Sequence, residues 1–319
     1  MLKTAFLFSG QGAQATGMMN DLYQASPAAK KVFEAADRCL ERGISALCFE
    51  GSQEELNLTH NTQPCVLAAE LAAYAAISEK GVRADAVAGF SLGEYGALVA
   101  AQAIGLEDAF KIIQIRADAM QEAVPVGKGG MAAVMKLSKE EVKALCKEAG
   151  GYVIPVNFNC PGQIVVSGEM EAVNRLVALA SGRKLRVMKL PVSAPFHCAM
   201  MAPAAQRLEV AFKEISFKAP VIPCYSNVNA SPYKDASCIA NQLCVQAKSP
   251  VLWEQTIRQL HADGVMTFIE LGPGNTLSKF IKKTLEDVRI FNVNSVETLN
   301  ETIDNLCYEK STKRRTLWT

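Results

Sequence analysis

Short apolar runs alternate with longer segments of helical period along the first 120 residues. Thr4–Phe8 and Ala84–Ala88 are brief, small or aromatic in character, and followed by glycine, so they predict buried strands. Ala28–Arg42 repeats its apolar positions at helical spacing. Pro64–Lys80 is alanine-rich with few charges and predicts a buried helix. Gly93–Ala103 and Leu106–Glu122 predict two more. A rhythm of strand and helix in alternation gives a parallel sheet with helices on its faces.

The rhythm changes at Val124-Pro-Val-Gly-Lys-Gly-Gly130. A strand (Met131–Met135), a helix (Ser138–Ala149), two strands (Val153–Asn157 and Gln163–Ser167), a helix (Glu169–Ala180) and a strand (Lys184–Leu190) follow. That order, βαββαβ, is the ferredoxin-like one. Helix (Ala199–Glu214), strand (Val221–Ser226), helices (Ile239–Val245 and Pro250–Ala262) and strand (Val265–Glu270) resume the first rhythm. A helix from Asn275 and a strand near Val288–Asn292 end the predicted fold. The chain reads as an α/β protein: a parallel-sheet core from 1–124 and 192–319, with a small ferredoxin-like subdomain inserted at 125–191.

Composition narrows the function classes. The 319 residues carry 33 Lys plus Arg against 32 Asp plus Glu, so no global field favours nucleic acid or a membrane surface. No apolar run approaches the roughly 20 residues of a spanning helix. The start, MLKTAFLFSGQG, lacks a cleavage pattern and is expected to hold the first strand rather than a signal peptide. Ten scattered cysteines without a C-x-x-C pair suggest buried small hydrophobes in a reducing cytosol, not a zinc or dithiol site. The basic tail Lys310–Arg315 is expected to be solvated.

Chemistry enters at AVAGFSLGEYGALVAA, residues 86–101. Gly89-Phe-Ser-Leu-Gly93 matches G-x-S-x-G, the nucleophile elbow, in which a sharp strand-to-helix turn exposes a serine oxygen. Ser91 needs a base, and the chain holds three histidines. His60 falls in a polar loop, Leu58–Gln63. His261 falls near the end of an amphipathic helix, where helix-end carbonyls commonly satisfy it. His197 falls where a strand ends and a helix begins, the position at which open α/β sheets bind ligands. It is either the base or a satisfied structural histidine. No acid between Ser91 and His197 stands alone at a predicted strand end; an amide or main-chain carbonyl would orient the imidazole as well.

Arg116 is the most informative charge. On a wheel of about 100° per residue, Leu106, Phe110, Ile113, Ala117 and Met120 form one stripe of its helix. Glu107, Asp108, Lys111, Asp118 and Glu122 lie opposite, and Arg116 sits beside Ala109 and Ile112 on the apolar flank. An inward arginine must find an anion. That anion is either a protein carboxylate or a substrate carboxylate, which the guanidinium fork matches bidentately.

These residues resemble the malonyl-CoA:acyl carrier protein transacylases and, more distantly, the acyltransferase domains of polyketide synthases. The matching stretches run in family order from Phe6 to about Lys283: Phe8–Gln14, Thr62-Gln-Pro64, Gly89–Tyr95, Gln114-Ile-Arg116 with Met120-Gln-Glu122, Asn157–Gln163, Ala194-Pro-Phe-His197, Ser226-Asn-Val228, Gln246–Pro250 and Glu270–Gly274. The resemblance implies a hydrolase-like core with the inserted ferredoxin-like subdomain. It implies Ser91 as the acylated nucleophile and His197 as its base, held by the main-chain carbonyl of Gln246. The main-chain N–H groups of Gln11 and Leu92 become the oxyanion hole. Arg116 would bind the free malonyl carboxylate, with Gln63, Met120, Asn227 and Phe196 around the substrate. Phe196 is similar to the malonyl-selective form of its motif. Phe90 departs from the family, which often has histidine there, and this leaves the packing around the elbow open.

The implied partners are malonyl-CoA and acyl carrier protein, in fatty acid biosynthesis, on a cytoplasmic monomer needing no metal or redox cofactor. Arg183, Lys184, Arg186, Lys189, Lys282 and Lys283 either face that acidic carrier or are solvated surface. Two rivals remain on sequence alone: a serine hydrolase, which leaves Arg116 and Gln11 without roles, and a binding protein without turnover.

Overall fold

The computed structural model describes residues 3–192 and 194–315, with side chains through residue 306. In chain order, β1 (Lys3–Phe8) leads through α1 (Asn20–Ala25), α2 (Pro27–Leu40), α3 (Ile44–Glu50), α4 (Gln53–Leu56) and α5 (Thr59–Glu79) to β2 (Ala86–Gly89), α6 (Gly93–Ala100) and α7 (Leu106–Glu122). Then come β3 (Gly129–Met135), α8 (Lys139–Ala149), β4 (Val153–Cys160), β5 (Gln163–Glu169), α9 (Met170–Gly182) and β6 (Val187–Lys189). The chain continues with α10 (Ala202–Ala211), β7 (Cys224–Tyr225), α11 (Ile239–Ala247), α12 (Trp253–Ala262), β8 (Val265–Leu271), α13 (Thr276–Thr284), β9 (Arg289–Val293) and α14 (Val296–Arg315).

The strands form two sheets. The first is parallel, in the order β7-β2-β1-β8-β9. The second is antiparallel, in the order β4-β5-β3-β6, as a ferredoxin-like βαββαβ unit requires. The α/β architecture expected from the strand and helix pattern is therefore present, with every strand of the second sheet between residues 129 and 189. An apolar cluster links the two sheets: Met131, Val156 and Val165 of the small sheet pack with Met120 of α7 and with Phe196 and Met201. Among the described residues, no helix is long and apolar enough to cross a membrane.

Register places the site. Phe8 at the end of β1 lies opposite Gly89 at the end of β2, so the loop after Phe8 runs beside the turn after Gly89. The turn is tight enough to demand both glycines of its motif. A Cβ on Gly89 would come within 1.9 Å of the Gly93 carbonyl, and one on Gly93 within 2.4 Å of the Phe8 and Ser9 carbonyl oxygens.

Several element boundaries differ from the sequence reading. Helix α5 begins at Thr59, five residues before Pro64, so His60 lies in its first turn and not in a loop. Pro64 has no N–H to give to the His60 carbonyl one turn back. The side chain of Gln114 supplies that donor instead, at 3.3 Å. Helix α12 starts at Trp253 rather than Pro250, because Val251 pairs with β4: its N–H donates to Val156 O (2.7 Å) and its carbonyl accepts from Phe158 (3.0 Å). Strand β7 has two residues where six were expected, since Pro220 and Pro223 have no N–H for a ladder. The fold does not end at β9. Helix α14 follows, its first turn capped by Ser295 Oγ accepting from Thr298 N at 3.2 Å. The side chains of Lys310–Arg315 lie outside the described residues.

Candidate functional site

The turn between β2 and α6 carries Ser91 in the left-handed region, at φ 57°. A non-glycine residue held there is strained by about 1–3 kcal/mol and needs surrounding contacts to fix it. Asn227 provides them. Its amide oxygen accepts from Ser91 N (2.7 Å) and its amide nitrogen donates to Gly89 O (2.7 Å). Both ends of that amide are committed to the elbow, and the residue is fully buried. Asn227 is thus a brace of the turn that carries the nucleophile.

His197 arrives from the segment that follows the small sheet, and it too is left-handed, at φ 62°. Its Nε2 lies 2.7 Å from Ser91 Oγ, and its Nδ1 lies 3.0 Å from the main-chain carbonyl of Gln246 at the end of α11. A carbonyl can only accept, so Nδ1 carries the proton and Nε2 presents its lone pair to the serine hydroxyl. Burial and the positive charge of Arg116 push the His197 pKa down to about 4, against weaker opposing hydrogen bonds from the Gln246 and Ser249 main chain. The imidazole is therefore neutral at pH 7, as a base must be. The other two histidines are elsewhere: His261 Nδ1 lies 3.2 Å from Val265 O, and His60 is on α5.

Arg116 projects from α7 into the same space and is 1% exposed. Its Nη1 donates to Gln63 Oε1 (2.6 Å), and its Nη2 to Gln246 Oε1 (3.0 Å) and Ser91 Oγ (3.1 Å). Its Nε has no hydrogen-bond partner, and the guanidinium lies 5.6 Å from the centre of the Tyr95 ring. The ion pairs found among the described residues are all surface pairs, and none includes Arg116. The structural ion pair left open by the sequence is therefore not formed.

The remaining expected residues surround this centre. Gln63 Nε2 donates to Met120 Sδ at 3.7 Å, which seats the amide that meets Arg116. Met120 and Phe196 share the apolar cluster between the two sheets. Leu92 follows the serine and Gln11 lies in the loop after the adjacent strand β1, and neither main-chain N–H has an acceptor among the described residues. Phe90 turns to the other side of the elbow. It packs edge-on against Trp253 (5.4 Å between ring centres) and over Gly10, where a Cβ would meet its ring at 2.7 Å. The departure at Phe90 thus leaves the Arg116 side of the turn unaltered. Among the described residues no cluster of three or more His, Cys, Asp or Glu is arranged to hold a metal ion.

Sequence reasoning missed Glu94 and Tyr233. Glu94 stands in the first turn of α6, fully buried, and its Oε2 accepts from Gln246 Nε2 (2.9 Å) and Asn227 N (3.1 Å). Its Oε1 accepts from the Tyr233 hydroxyl. The signal was an acid in a helix, GEYGALVA, otherwise made of apolar or small residues. Gln246 was expected only through its carbonyl, yet its side chain also donates to Ser91 O at 2.7 Å.

A hydroxyl hydrogen-bonded to a neutral, oriented imidazole on a nucleophile elbow is built to take an acyl group onto oxygen and release it again. That is the design of a serine acyltransferase. The profile of the acyl transferase domain family matches residues 5–313. The malonyl CoA-acyl carrier protein transacylase of Bacillus subtilis is 43% identical over 311 residues, covering 96% of this chain and 98% of that one. The Escherichia coli K12 enzyme of the same name is 41% identical, over 90% and 94%. Among solved structures, the transacylase of Clostridium perfringens superposes with a TM-score of 0.93 at 38% identity, over 98% and 99% of the two chains. A malonyl-transacylase solved in complex with a type II polyketide synthase acyl-carrier protein gives 0.92 at 38% identity, over 95% and 99%. The chain belongs to the malonyl CoA-acyl carrier protein transacylase family.

Proposed function

We propose that this enzyme moves the malonyl group of malonyl-CoA to the phosphopantetheine thiol of an acyl carrier protein, in fatty acid biosynthesis. Ser91 Oγ attacks the thioester carbonyl while His197 Nε2 takes its proton. The tetrahedral oxyanion lies against the N–H groups of Gln11 and Leu92. The C–S bond then breaks, and the proton passes from His197 to the CoA thiolate. The carrier thiol repeats the sequence on the malonyl-serine ester and regenerates the hydroxyl. No step calls for a metal or redox cofactor.

One observation carries the malonyl assignment: a buried guanidinium 3.1 Å from the nucleophile, hydrogen-bonded only to neutral oxygens. A serine hydrolase acting on uncharged esters has no use for that charge, and a binding protein has none for the dyad. Gln63, Met120 and Phe196 complete the pocket for the short acyl group. A groove of about 300 Å³ between the two sheets, lined by Gln11, Phe90, Asn157, Asn159, Arg186 and Leu277, supports entry of the thioester arm from the small-sheet side. The carrier-protein partner is supported by the names of the relatives and by the carrier complex of one of them. A cytoplasmic monomer completes the reading.

The test is to mix the protein with malonyl-CoA and phosphopantetheine-loaded carrier protein and to weigh the carrier. A malonyl adduct on the carrier is the expected result. Free malonate without adduct would make the protein a hydrolase, and neither product would make it a binder.

A further inference from the structure

Arg116 holds a full charge in a space closed to water, with no carboxylate in ion-pair range among the described residues. An isolated buried cation is strongly unfavourable, so a negative group must compensate it. Three carboxyl groups are buried in the described structure: Glu70, Glu94 and Glu270. Glu270 caps α13, accepting from Leu277 N (3.0 Å) and Ser278 N (2.7 Å). Glu70 has no hydrogen-bond partner on either oxygen. Glu94 alone of the three joins the Arg116 network. The link is one amide: Gln246 Oε1 faces the guanidinium at 3.0 Å and Gln246 Nε2 faces Glu94 Oε2 at 2.9 Å.

We propose that Glu94 is the counter-charge of Arg116, coupled to it through the Gln246 amide. The amide dipole has its negative end at the cation and its positive end at the anion; the flipped amide would be repelled by both. The donors on Glu94 favour the carboxylate. The Asn227 N–H and the Gln246 NH₂ can only donate, so a proton on the carboxyl would have to turn to the Tyr233 or Ser226 hydroxyl. Burial raises both Glu94 and Glu70, but Glu70 goes much higher because no hydrogen bond opposes burial there. A direct Arg116–Glu94 pair would occupy the fork that a substrate carboxylate needs. With one amide between them, the cation stays charged and its terminal nitrogens meet only neutral oxygens. The pairing is independent of the substrate; its use in selecting a carboxylate rests on the reading given under Proposed function.

The test is a double-mutant cycle on folding, using urea denaturation of Glu94→Gln, Arg116→Gln and the double variant. Glutamine at 94 keeps the shape, with its oxygen toward Gln246 and Asn227 and its NH₂ toward a rotated Tyr233 hydroxyl. Each single variant strands one charge. The double variant strands none and should recover stability, with a coupling factor in the folding equilibrium of about 10 to 100. Additive effects would overturn the pairing, and so would a silent Glu94→Gln, since that means residue 94 is already neutral. If Glu94→Gln does not fold, folding of the double variant supports the pairing, and its failure while Arg116→Gln folds overturns it. The fate of the clamp is read separately, from the malonyl-to-acetyl selectivity of Arg116→Ala.

Discussion

Replacing Arg116 by alanine separates a substrate clamp from a structural charge. The guanidinium now directs its two terminal nitrogens at Gln63, Gln246 and Ser91, all neutral, inside a pocket that is almost fully buried. A malonyl carboxylate meeting that fork forms two charge-assisted hydrogen bonds out of water. Such a contact is worth roughly 2–5 kcal/mol, so kcat/KM for malonyl-CoA should fall by about 30- to 4000-fold. Acetyl-CoA has no free carboxylate, and its transfer should change by less than about tenfold, or rise, because it no longer enters beside a cation it cannot pair with. Truncation also leaves the Gln63 and Gln246 side-chain oxygens without their donor, each worth about 1–3 kcal/mol if water does not replace it. A lower melting temperature is therefore expected and is not diagnostic. The diagnostic quantity is the ratio of kcat/KM for malonyl-CoA over acetyl-CoA, measured in wild type and variant with a melting curve for each. If that ratio stays constant while both rates fall, the clamp is wrong.

Asn227→Ala should lower kcat for malonyl and acetyl transfer alike, by about ten- to several-hundredfold, because two main-chain groups of the elbow lose their partners. A selective rise in KM for malonyl-CoA would instead return Asn227 to the substrate pocket. The acid limb of kcat/KM should lie near pH 4 rather than 6.5, since the active form is neutral His197 and its pKa is depressed to about 4; Arg116→Gln should move that limb to higher pH by removing the repelling charge, and a wild-type limb at 6.5 refutes the assignment. The same depressed group makes folding pH-dependent: its contribution is intact above pH 6.5 and lost as pH falls toward 4, by about 3 kcal/mol, readable as a falling urea midpoint that a His197→Ala variant does not share.

Legibility in the sequence follows the range of the interaction concerned. The elbow was readable because its needs are local: a small strand, two glycines where a Cβ would strike backbone, and a serine between them. The inward turn of Arg116 was readable because helical periodicity is local too, and α7 spans the expected Leu106–Glu122. The βαββαβ order sufficed for the second sheet, since each of its strands has its own apolar run. Boundaries failed where a distant partner decides them. Val251 leaves the α12 pattern to pair with β4, and the His60 carbonyl freed by Pro64 is satisfied from α7 by Gln114. Helix α14 was missed for another reason. Val296, Leu299, Ile303 and Leu306 have helical spacing, but the basic residues after them read as a solvated tail.

Asn227, Gln246 and Glu94 are the harder case, because their roles depend on partners far along the chain; only Glu94 carried a local signal, as an acid inside an otherwise apolar or small α6. Their arrangement nevertheless follows from Arg116. A serine nucleophile with a histidine base usually has an acid on the far imidazole nitrogen, to fix the tautomer and steady the imidazolium. Here an acid at that position would stand close to a buried arginine and pair with it. The cation would then be neutralised for any incoming carboxylate. A main-chain carbonyl fixes the same tautomer with no net charge, and the Gln246 carbonyl does so at 3.0 Å. The consequence is a weaker base, depressed both by burial and by Arg116 itself. A bound malonyl carboxylate opposes the arginine's charge and so lifts that second depression when the acyl group is in place. On the reading that Arg116 receives the substrate carboxylate, the missing third acid and the buried arginine are one feature: a site that reserves its positive charge for the substrate cannot also hold a carboxylate against its histidine.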